Sequence, residues 1–293
     1  MQIMDIKRFA VHDGDGIRTT IFFKGCPLRC VWCHNPEGLV RDTQLAYFSH
    51  KCINCGACTK LCNANVFDNN THIFDANQCI KCGKCEDVCP RKAFKLYGKE
   101  YSADELIKIA LEDIDFYKAS GGGITLSGGE CLMQPDACRE ILMLAKENCI
   151  HTAVDTCGAV SWGSIEKVID FTDIFLYDIK AFDEDVHKKC TGASNKLILE
   201  NLRRIDEYGK KIEIRTVYVP GYNDDQMEKI ADFIETLKNV TKVKILPFHN
   251  FTDTKYEALG MENTMPKIDA PALDEIEKAR KTFESRGIIA VAD

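Results

Sequence analysis

Eight cysteines between residues 52 and 89 constrain the fold of this chain more than any other feature, because they repeat one spacing twice. A first run reads C-x2-C-x2-C-x3-C from Cys52 to Cys62, and a second run repeats it from Cys79 to Cys89. Sixteen cysteines would indicate disulfides in a small secreted protein, but clustered cysteines in a chain of 293 residues are typical of metal ligands. A segment this short buries little apolar surface by itself, so we expect its folding to depend on bound metal.

The repeated run predicts an insert, residues 49–96, that resembles a bacterial ferredoxin with two [4Fe–4S] clusters. In that arrangement the fourth cysteine of each run ligates the other cluster. One cluster is therefore expected on Cys52, Cys55, Cys58 and Cys89, and the other on Cys62, Cys79, Cys82 and Cys85. A pair of zinc knuckles is the alternative, although zinc needs no crossed repeat. Fully ligated clusters have no open iron, so the insert is expected to serve electron transfer or docking.

A further group of three cysteines lies near the start of the chain, in the run FFKGCPLRCVWCHN. Cys26, Cys30 and Cys33 have the spacing C-x3-C-x2-C, which supplies three thiolates from one short loop. Because a [4Fe–4S] cluster is normally held by four thiolates, three of them leave one iron open to another ligand. A structural zinc site is the alternative, but such sites favour two separated pairs of ligands.

Composition and charge exclude some classes of function. The formal net charge is −7 and there is no basic stripe, which argues against a nucleic-acid partner. We find no membrane-length apolar run and no apolar signal core in the opening MQIMDIKRFAVHDGDG. The expected location is a reducing, anaerobic cytoplasm.

The remainder of the chain, residues 1–48 and 97–293, alternates predicted strands and helices. Strands are predicted at residues 19–23, 124–127, 152–155, 174–179, 212–219, 243–247 and 288–291. A capping box at Ser102–Glu105 begins a helix predicted to extend to about residue 119, and Pro135 begins another. This alternation predicts an α/β fold with a parallel sheet and right-handed crossovers.

Polar residues and glycines cluster at the predicted carboxyl ends of these strands. They are Gly128, Gly129, Glu130, Asp155, Thr156, Asp178 and Lys180, with Arg215 inside a strand and His249 just after one. Any one of them could be an ordinary surface or capping residue. Because parallel strands of a barrel end at the same face, where such folds carry out their chemistry, the whole group predicts a site.

These motifs together resemble a radical S-adenosylmethionine (SAM) enzyme, and more closely a glycyl-radical-enzyme activating enzyme of the pyruvate formate-lyase activating type. The resemblance covers nearly the whole chain and implies a partial (β/α)6 TIM-like barrel with the ferredoxin-like insert. The opening HDGDGIR is similar to the family's H-D-G-P-G-I-R, with Asp15 in place of the proline. That segment is implied to lie near the partner's glycine loop, through Asp13, Gly14, Asp15, Gly16 and Arg18.

The resemblance also implies contacts to SAM. Gly128, Gly129 and Glu130 match the motif that binds the amino group of SAM, where glycines allow close approach and Glu130 could accept from an ammonium. Asp178 and Lys180 match an element that contacts its methionyl and ribose parts. The further implied SAM contacts are Arg215, His249 and Asn35. A monovalent cation, Na⁺ or K⁺, is implied on the oxygens of Asp155, Thr156 and Asp178.

The implied activity is reductive cleavage of SAM to a 5′-deoxyadenosyl radical, which removes hydrogen from a glycine of a partner glycyl radical enzyme. A flavodoxin or ferredoxin is the expected electron donor, and the residues do not identify the partner. Two alternatives remain. A radical SAM enzyme acting on another peptide or small molecule would be expected to have auxiliary cysteines after the barrel, but none follows Cys190. A non-catalytic electron carrier leaves the three-cysteine loop unexplained.

Overall fold

The computed structural model describes residues 1–250 and 252–292. The strands are β1 (Gln2–Ala10), β2 (Arg18–Phe23), β3 (Gln44–Tyr47), β4 (Asn65–Asp68), β5 (Thr71–Phe74), β6 (Phe94–Tyr97), β7 (Lys99–Glu100), β8 (Gly123–Gly128), β9 (His151–Thr156), β10 (Ile174–Asp178), β11 (Lys211–Tyr218), β12 (Val240–Pro247) and β13 (Ala290–Ala292). The α-helices are α1 (Lys84–Val88), α2 (Ala103–Leu111), α3 (Ile114–Ser120), α4 (Pro135–Glu147), α5 (Trp162–Ile169), α6 (Glu184–Thr191), α7 (Lys196–Glu207), α8 (Met227–Glu235), α9 (Asp253–Ala258) and α10 (Leu273–Glu284).

Nine strands form the main sheet of the described residues, in the order β13-β12-β11-β10-β9-β8-β2-β1-β7. Every neighbouring pair from β2 to β13 is parallel, whereas β1 pairs antiparallel with β2 and with β7. The predicted α/β fold with a parallel sheet is confirmed. Strand β1 was not predicted, because its charged residues hide an alternating pattern.

Local sequence explains where several helices begin and end. Ser102 caps α2 and Glu105 bonds back to the backbone of Ser102, as the capping box predicts. The single helix predicted to run to about residue 119 is wrong, since it breaks after Leu111 and restarts at Ile114. The break follows from Asp113, whose carboxylate accepts hydrogen bonds from side chains on β1 and β2 and so fixes its backbone outside the helix.

The main hydrophobic core joins the sheet to its helices. Ile21, Leu126 and Phe175 from the strands are fully buried together with Leu142 of α4 and Ile198 of α7. Burying side chains of this size stabilises the fold by roughly 1.5–3 kcal/mol each, so this core holds the strand ends in fixed positions. None of the helices in the described residues is long and apolar enough to cross a membrane.

The cysteine-rich segment forms two small ladders of its own. The antiparallel pair β3–β6 frames it, so the paired strands begin at Gln44, before the predicted boundary at residue 49. Within this frame β4 and β5 form a hairpin, and the short helix α1 lies inside the second run of cysteines, where it includes Cys85 and ends just before Cys89. Its core is small, with buried Cys58, Cys85 and Phe94.

Candidate active site

A cavity of about 240 Å³ opens at the carboxyl ends of β2, β8, β9, β10 and β11. Most residues predicted for the site line it, namely Asp13, Cys26, Cys30, Cys33, Asn35, Gly128, Gly129, Asp155, Asp178, Lys180 and Arg215. The cavity therefore brings the three loop thiols, three carboxylates and two cations together at one end of a parallel sheet. In parallel β/α barrels the active site lies at this end of the strands.

The three-cysteine loop follows β2 and is held by backbone hydrogen bonds at both ends. Gly25 N donates to Gly38 O at 2.9 Å, and Val31 N donates to Cys190 O at 2.9 Å. Burial raises the pKa of Cys30 to about 12 and the pKa of Cys33 to about 11. Buried thiols of this kind stay protonated until a metal ion takes the place of the proton. Three cysteine sulfurs from one loop are the type of ligand that holds an iron–sulfur cluster.

Gly128 and Gly129 are required by the approach of β8 to this loop. Gly128 has φ +124°, and a Cβ on it would lie 2.2 Å from the Phe23 carbonyl oxygen. A Cβ on Gly129 would lie 2.4 Å from the carbonyl oxygens of both Gly25 and Gly38. The glycines were predicted to let the backbone approach a ligand, and the structure shows that they first let two segments of backbone approach each other.

Glu130 does not line the cavity. Its carboxylate is completely buried and accepts hydrogen bonds from the Thr156 hydroxyl at 2.9 Å, from Cys157 N at 2.8 Å and from Leu132 N at 3.0 Å. Burial raises the pKa of Glu130, while these hydrogen bonds oppose the rise. The expected direct contact of Glu130 with an ammonium group is therefore not supported, because donors from the protein already hydrogen-bond to its carboxylate.

Thr156 is also turned away from the cavity, and its hydroxyl accepts from Gly158 N at 2.9 Å besides donating to Glu130. The expected role of the Thr156 hydroxyl as a cation ligand therefore has no support in its position. Asp155, the preceding residue, does face the cavity. Its carboxylate accepts from the Ser127 hydroxyl at 2.7 Å, and burial raises the pKa of Asp155 to about 7 although Arg215 opposes the rise.

Two cations balance the carboxylates of the cavity. Lys180 Nζ lies 3.1 Å from Asp178 Oδ2, and Arg215 Nη1 lies 3.6 Å from Asp155 Oδ2. Burial alone would lower the pKa of Lys180, but the Asp178 carboxylate raises it above its usual value. Both cations thus stay charged in a buried place, where they could bind an anionic group.

His249 is exposed and does not line the cavity, contrary to the expected cofactor contact. Its ring stacks on His34 with centroids 3.9 Å apart, and His34 itself lines the cavity. Asn35 lines the cavity as predicted, and its side-chain oxygen accepts from Lys255 Nζ at 3.2 Å. The histidine that lines the cavity is therefore His34 of the cysteine loop, and His249 packs against the His34 ring.

Several lining residues were missed, among them Trp32, Ser127, Cys157 and Val217. Cys157 also contacts a buried residue of the site. It is 5% exposed, and its thiol donates to the buried Glu130 carboxylate at 3.0 Å. Its place directly after Asp155 and Thr156 at a strand end was the available signal.

The N-terminal segment divides between buried and exposed residues. Arg18 was expected to contact a partner, but it is 1% exposed and donates to Thr125 Oγ1 at 2.6 Å. That expectation is wrong, because the buried guanidinium donates its hydrogen bonds to residues of the neighbouring strand. Asp15 remains exposed and pairs with Lys242 at 2.6 Å, and Asp13 lines the cavity. Gly14 and Gly16 are half-buried between them.

The eight cysteines of the insert fall into two spatial groups. Cys52, Cys55, Cys58 and Cys89 line one pocket, and Cys62, Cys79, Cys82 and Cys85 line another. Each group takes one cysteine from the opposite run, as in the crossed arrangement. All sixteen cysteines of the chain are free thiols. No group of three or more His, Cys, Asp or Glu in residues 1–250 and 252–292 is arranged to hold a single metal ion.

The chain belongs to the radical SAM superfamily, whose family model matches residues 20–234. Over nearly its full length it is similar to named activating enzymes. It is 42% identical to the trans-4-hydroxy-L-proline dehydratase activating enzyme of Clostridioides difficile, over 97% of this chain and 96% of that protein. It is 40% identical to the choline trimethylamine-lyase activating enzyme of Oleidesulfovibrio alaskensis, over 95% and 92% respectively.

A solved structure shows the same fold. A domain of the pyruvate-formate lyase-activating enzyme from Bacteroides vulgatus superposes with a TM-score of 0.51 at 26% identity, covering 59% of this chain and 99% of that domain. The superfamily membership predicted from the motifs is confirmed.

Proposed function

We propose that this chain activates a glycyl radical enzyme by cleaving SAM reductively and removing a hydrogen atom from one glycine of the partner. The observation that carries the proposal is the cavity itself, which joins three loop thiols to buried carboxylates and cations at the sheet's carboxyl end. The relatives named above support the same conclusion, because they are activating enzymes and the similarity extends over nearly their whole length.

Cys26, Cys30 and Cys33 would hold a [4Fe–4S] cluster with one iron free for SAM. Such a cluster would supply the one electron that splits the sulfur–C5′ bond of SAM into methionine and the 5′-deoxyadenosyl radical. The protein itself positions SAM relative to the thiols, and the buried core behind the strand ends fixes the positions of the residues that do so. Leu28 and Trp32 line the cavity beside the thiols and give this part of its wall an apolar surface.

The charged residues of the cavity match the charges of SAM. Its methionyl part carries a carboxylate and an ammonium, and its sulfonium is positive. Lys180 and Arg215 can bind the carboxylate, while Asp178 and the Gly128–Gly129 backbone can accept from the ammonium. Asn35 lies on the cysteine-loop side and is placed to contact the adenosyl part. Glu130 acts indirectly, by fixing the Gly129 turn through its bonds to Leu132 and Cys157.

A monovalent cation beside SAM is a further part of the proposal, with Asp155 and Asp178 as its side-chain ligands. Oxygen ligands suit Na⁺ or K⁺. Because burial destabilises the ionised Asp155 carboxylate, a bound cation would stabilise it. The test is the affinity for SAM measured in sodium, potassium and tetramethylammonium salts at equal ionic strength. We expect the affinity to fall in tetramethylammonium, and Asp155→Asn to abolish the difference between salts.

The insert is proposed to hold two further [4Fe–4S] clusters, one on each group of four cysteines, and to relay electrons from a flavodoxin or ferredoxin. The support is the crossed grouping of the thiols in two pockets. Three clusters correspond to roughly twelve iron atoms per chain. We expect Cys55→Ala and Cys89→Ala each to lose about four irons and to change the same EPR signal, whereas a different signal changes in Cys82→Ala.

The activity is tested with anaerobically reconstituted protein, SAM, a chemical reductant and a glycyl radical enzyme as the candidate partner. We expect 5′-deoxyadenosine to form together with an EPR signal centred on glycine in the partner. Asp178→Asn should lower both products in proportion. Cleavage of SAM without a glycine-centred radical in any candidate partner would overturn the proposal.

A further inference from the structure

The two runs of insert cysteines differ in one respect that the ligand pattern does not require. Both ligand loops read C-I-x-C-G-x-C, and each exposes its isoleucine, Ile53 to 56% and Ile80 to 83%. The variable positions are Asn54 and Ala57 in the first loop but lysines in the second. The two loops therefore share one ligand spacing, but only the second places lysines between its first three cysteines.

The second loop presents a distinct surface, which we call the Ile80 face and define as Ile80, Lys81, Cys82 and Lys84. All four residues are exposed, and Ile80 and Cys82 line the pocket of the second cysteine group together with Lys84. No carboxylate is among the described residues that line this pocket. An exposed apolar side chain therefore lies beside two exposed lysines, next to the pocket that the second cysteine group lines.

The insert that carries this surface has a net positive charge, opposite in sign to that of the chain as a whole. Residues 49–96 contain seven Lys or Arg against four Asp or Glu, whereas the chain contains 38 against 45. A cluster with four thiolates is itself anionic, so an acidic protein would be repelled from it unless cations stood at the rim. Lys81 and Lys84 offset that repulsion, and long-range attraction of this kind raises association rates.

We propose that the Ile80 face docks an acidic one-electron carrier protein, so that electrons enter the chain at the Cys62, Cys79, Cys82 and Cys85 site. The inference rests on the proposed function, and it adds the charge of the donor and the entry point. In the step the carrier loses one electron and the second insert site gains one; no bond forms or breaks and no proton is required. Lys81 and Lys84 steer the carrier, and Ile80 contacts its surface.

The test uses the reconstituted full chain with a flavodoxin as the probe. Binding of oxidised flavodoxin is measured by calorimetry at several salt concentrations, and electron transfer from reduced flavodoxin is followed by stopped-flow absorbance of the flavin. We expect the double variant Lys81→Glu/Lys84→Glu to weaken binding by about tenfold or more at low salt and to flatten its salt dependence. Ile80→Ser should slow electron transfer several-fold at unchanged salt dependence.

The internal repeat supplies the matched controls. Ile53→Ser removes the equivalent isoleucine of the first loop, and Lys108→Glu/Lys118→Glu reverses two exposed charges on α2 and α3. Both should bind flavodoxin like the unaltered chain, and every variant should have the same iron content. Equal weakening by the controls, or unaltered binding in the double lysine variant, overturns the docking site.

SAM cleavage driven by dithionite separates this inference from the proposed function. It should be the same in the unaltered chain and in the double lysine variant, because a small reductant does not need the docking surface. Failure of the unaltered chain to cleave SAM with dithionite would contradict the proposed function instead. Failure of flavodoxin to bind the unaltered chain at low salt would contradict the docking site alone.

Discussion

Glu130 shows how a charged residue of the site can act without touching a ligand. Its carboxylate is completely buried beneath the cavity, where only protein donors surround it. Those donors come from the turn after β8 and from the end of β9, so Glu130 joins two strand ends that both line the cavity. We therefore assign it to positioning the Gly129 turn.

Glu130→Gln should lower both stability and affinity for SAM. The amide NH₂ of glutamine would face backbone N–H groups of Leu132 or Cys157, leaving a buried donor without an acceptor at a cost of about 2–3 kcal/mol. Thermal denaturation and calorimetric SAM binding are the measurements. Asn35→Ala, at the cavity wall, serves as the control and should lower affinity at nearly unchanged melting temperature. Unaltered stability in Glu130→Gln would contradict the positioning role.

Gly129→Ala tests the close approach of β8 to the cysteine loop. The added methyl group would lie 2.4 Å from two carbonyl oxygens, so the loop must move away and cluster loading should fall. Iron content after reconstitution measures this effect. Gly163→Ala in α5 meets no atom closer than 4.0 Å and should be neutral or slightly stabilising. Equal iron content in the two variants would show that the approach does not matter.

The side-chain directions at these strand ends were only partly predictable. Asp155 and Thr156 are consecutive in β9, so alternation alone places them on opposite faces and could have excluded the Thr156 hydroxyl from the cavity. Glu130 follows the turn at Gly128, where alternation no longer applies. The set of strand ends was predictable because parallel strands end at one edge, but the rotation of each residue beyond its strand depends on contacts far apart in sequence.

At the scale of elements, α9 connects the cysteine loop to the insert. Lys255 Nζ donates to His34 O at 3.0 Å and pairs with the buried Glu37 at 2.7 Å, and Tyr256 donates from its hydroxyl to Cys33 O at 3.0 Å. On its other side, Glu257 accepts from Ser49 at 3.3 Å. No local sequence signal predicted this role, because every contact joins residues some 200 positions apart.

Lys255→Met should therefore disturb the cavity from outside it. The buried Glu37 carboxylate loses its cation, which we expect to cost about 2 kcal/mol, and Asn35 loses a donor that fixes it at the cavity wall. Chemical denaturation and SAM affinity should both report the loss. Lys267→Met removes the same charge from an exposed position and should change neither. A Lys255→Met protein with unaltered SAM affinity would contradict the role of α9.

Helix α6 gives the fold a predicted dependence on pH. His187 is 1% exposed, and burial lowers its pKa below the ordinary 6.5, while Nδ1 donates to Ala193 O at 2.7 Å. The unfolded chain then binds a proton that the folded chain does not, so the stability from neutral His187 is present above pH 6.5 and is lost as the pH falls through the lowered value. The slope is at most about 1.4 kcal/mol per pH unit.

His187→Gln keeps a donor for Ala193 but cannot titrate. We expect the free energy of unfolding of the unaltered chain to fall between pH 7.5 and 5.5 more steeply than that of the variant. Denaturant titrations at both pH values measure the difference. Identical slopes would show that the fold charges His187 without cost.

At the scale of the whole molecule, the parallel sheet places the cavity and the insert supplies a separate set of eight thiols. Both features were predictable, because strand–helix alternation and cysteine spacing are periodic in sequence. What could not be predicted is how the two parts meet, through the β3–β6 ladder and the contacts of α9. This arrangement is consistent with electrons entering at the insert and chemistry occurring at the sheet's edge.

The central claim is that a radical generated at this cavity takes hydrogen from a glycine of another protein. The most direct measurement uses the candidate partner labelled with [2,2-²H₂]glycine, incubated anaerobically with the reconstituted chain, SAM and reductant. We predict deuterium in the methyl group of the 5′-deoxyadenosine, measured by mass spectrometry, and loss of the hydrogen splitting from the partner's EPR signal. Unlabelled 5′-deoxyadenosine formed beside a partner without a radical would contradict the account.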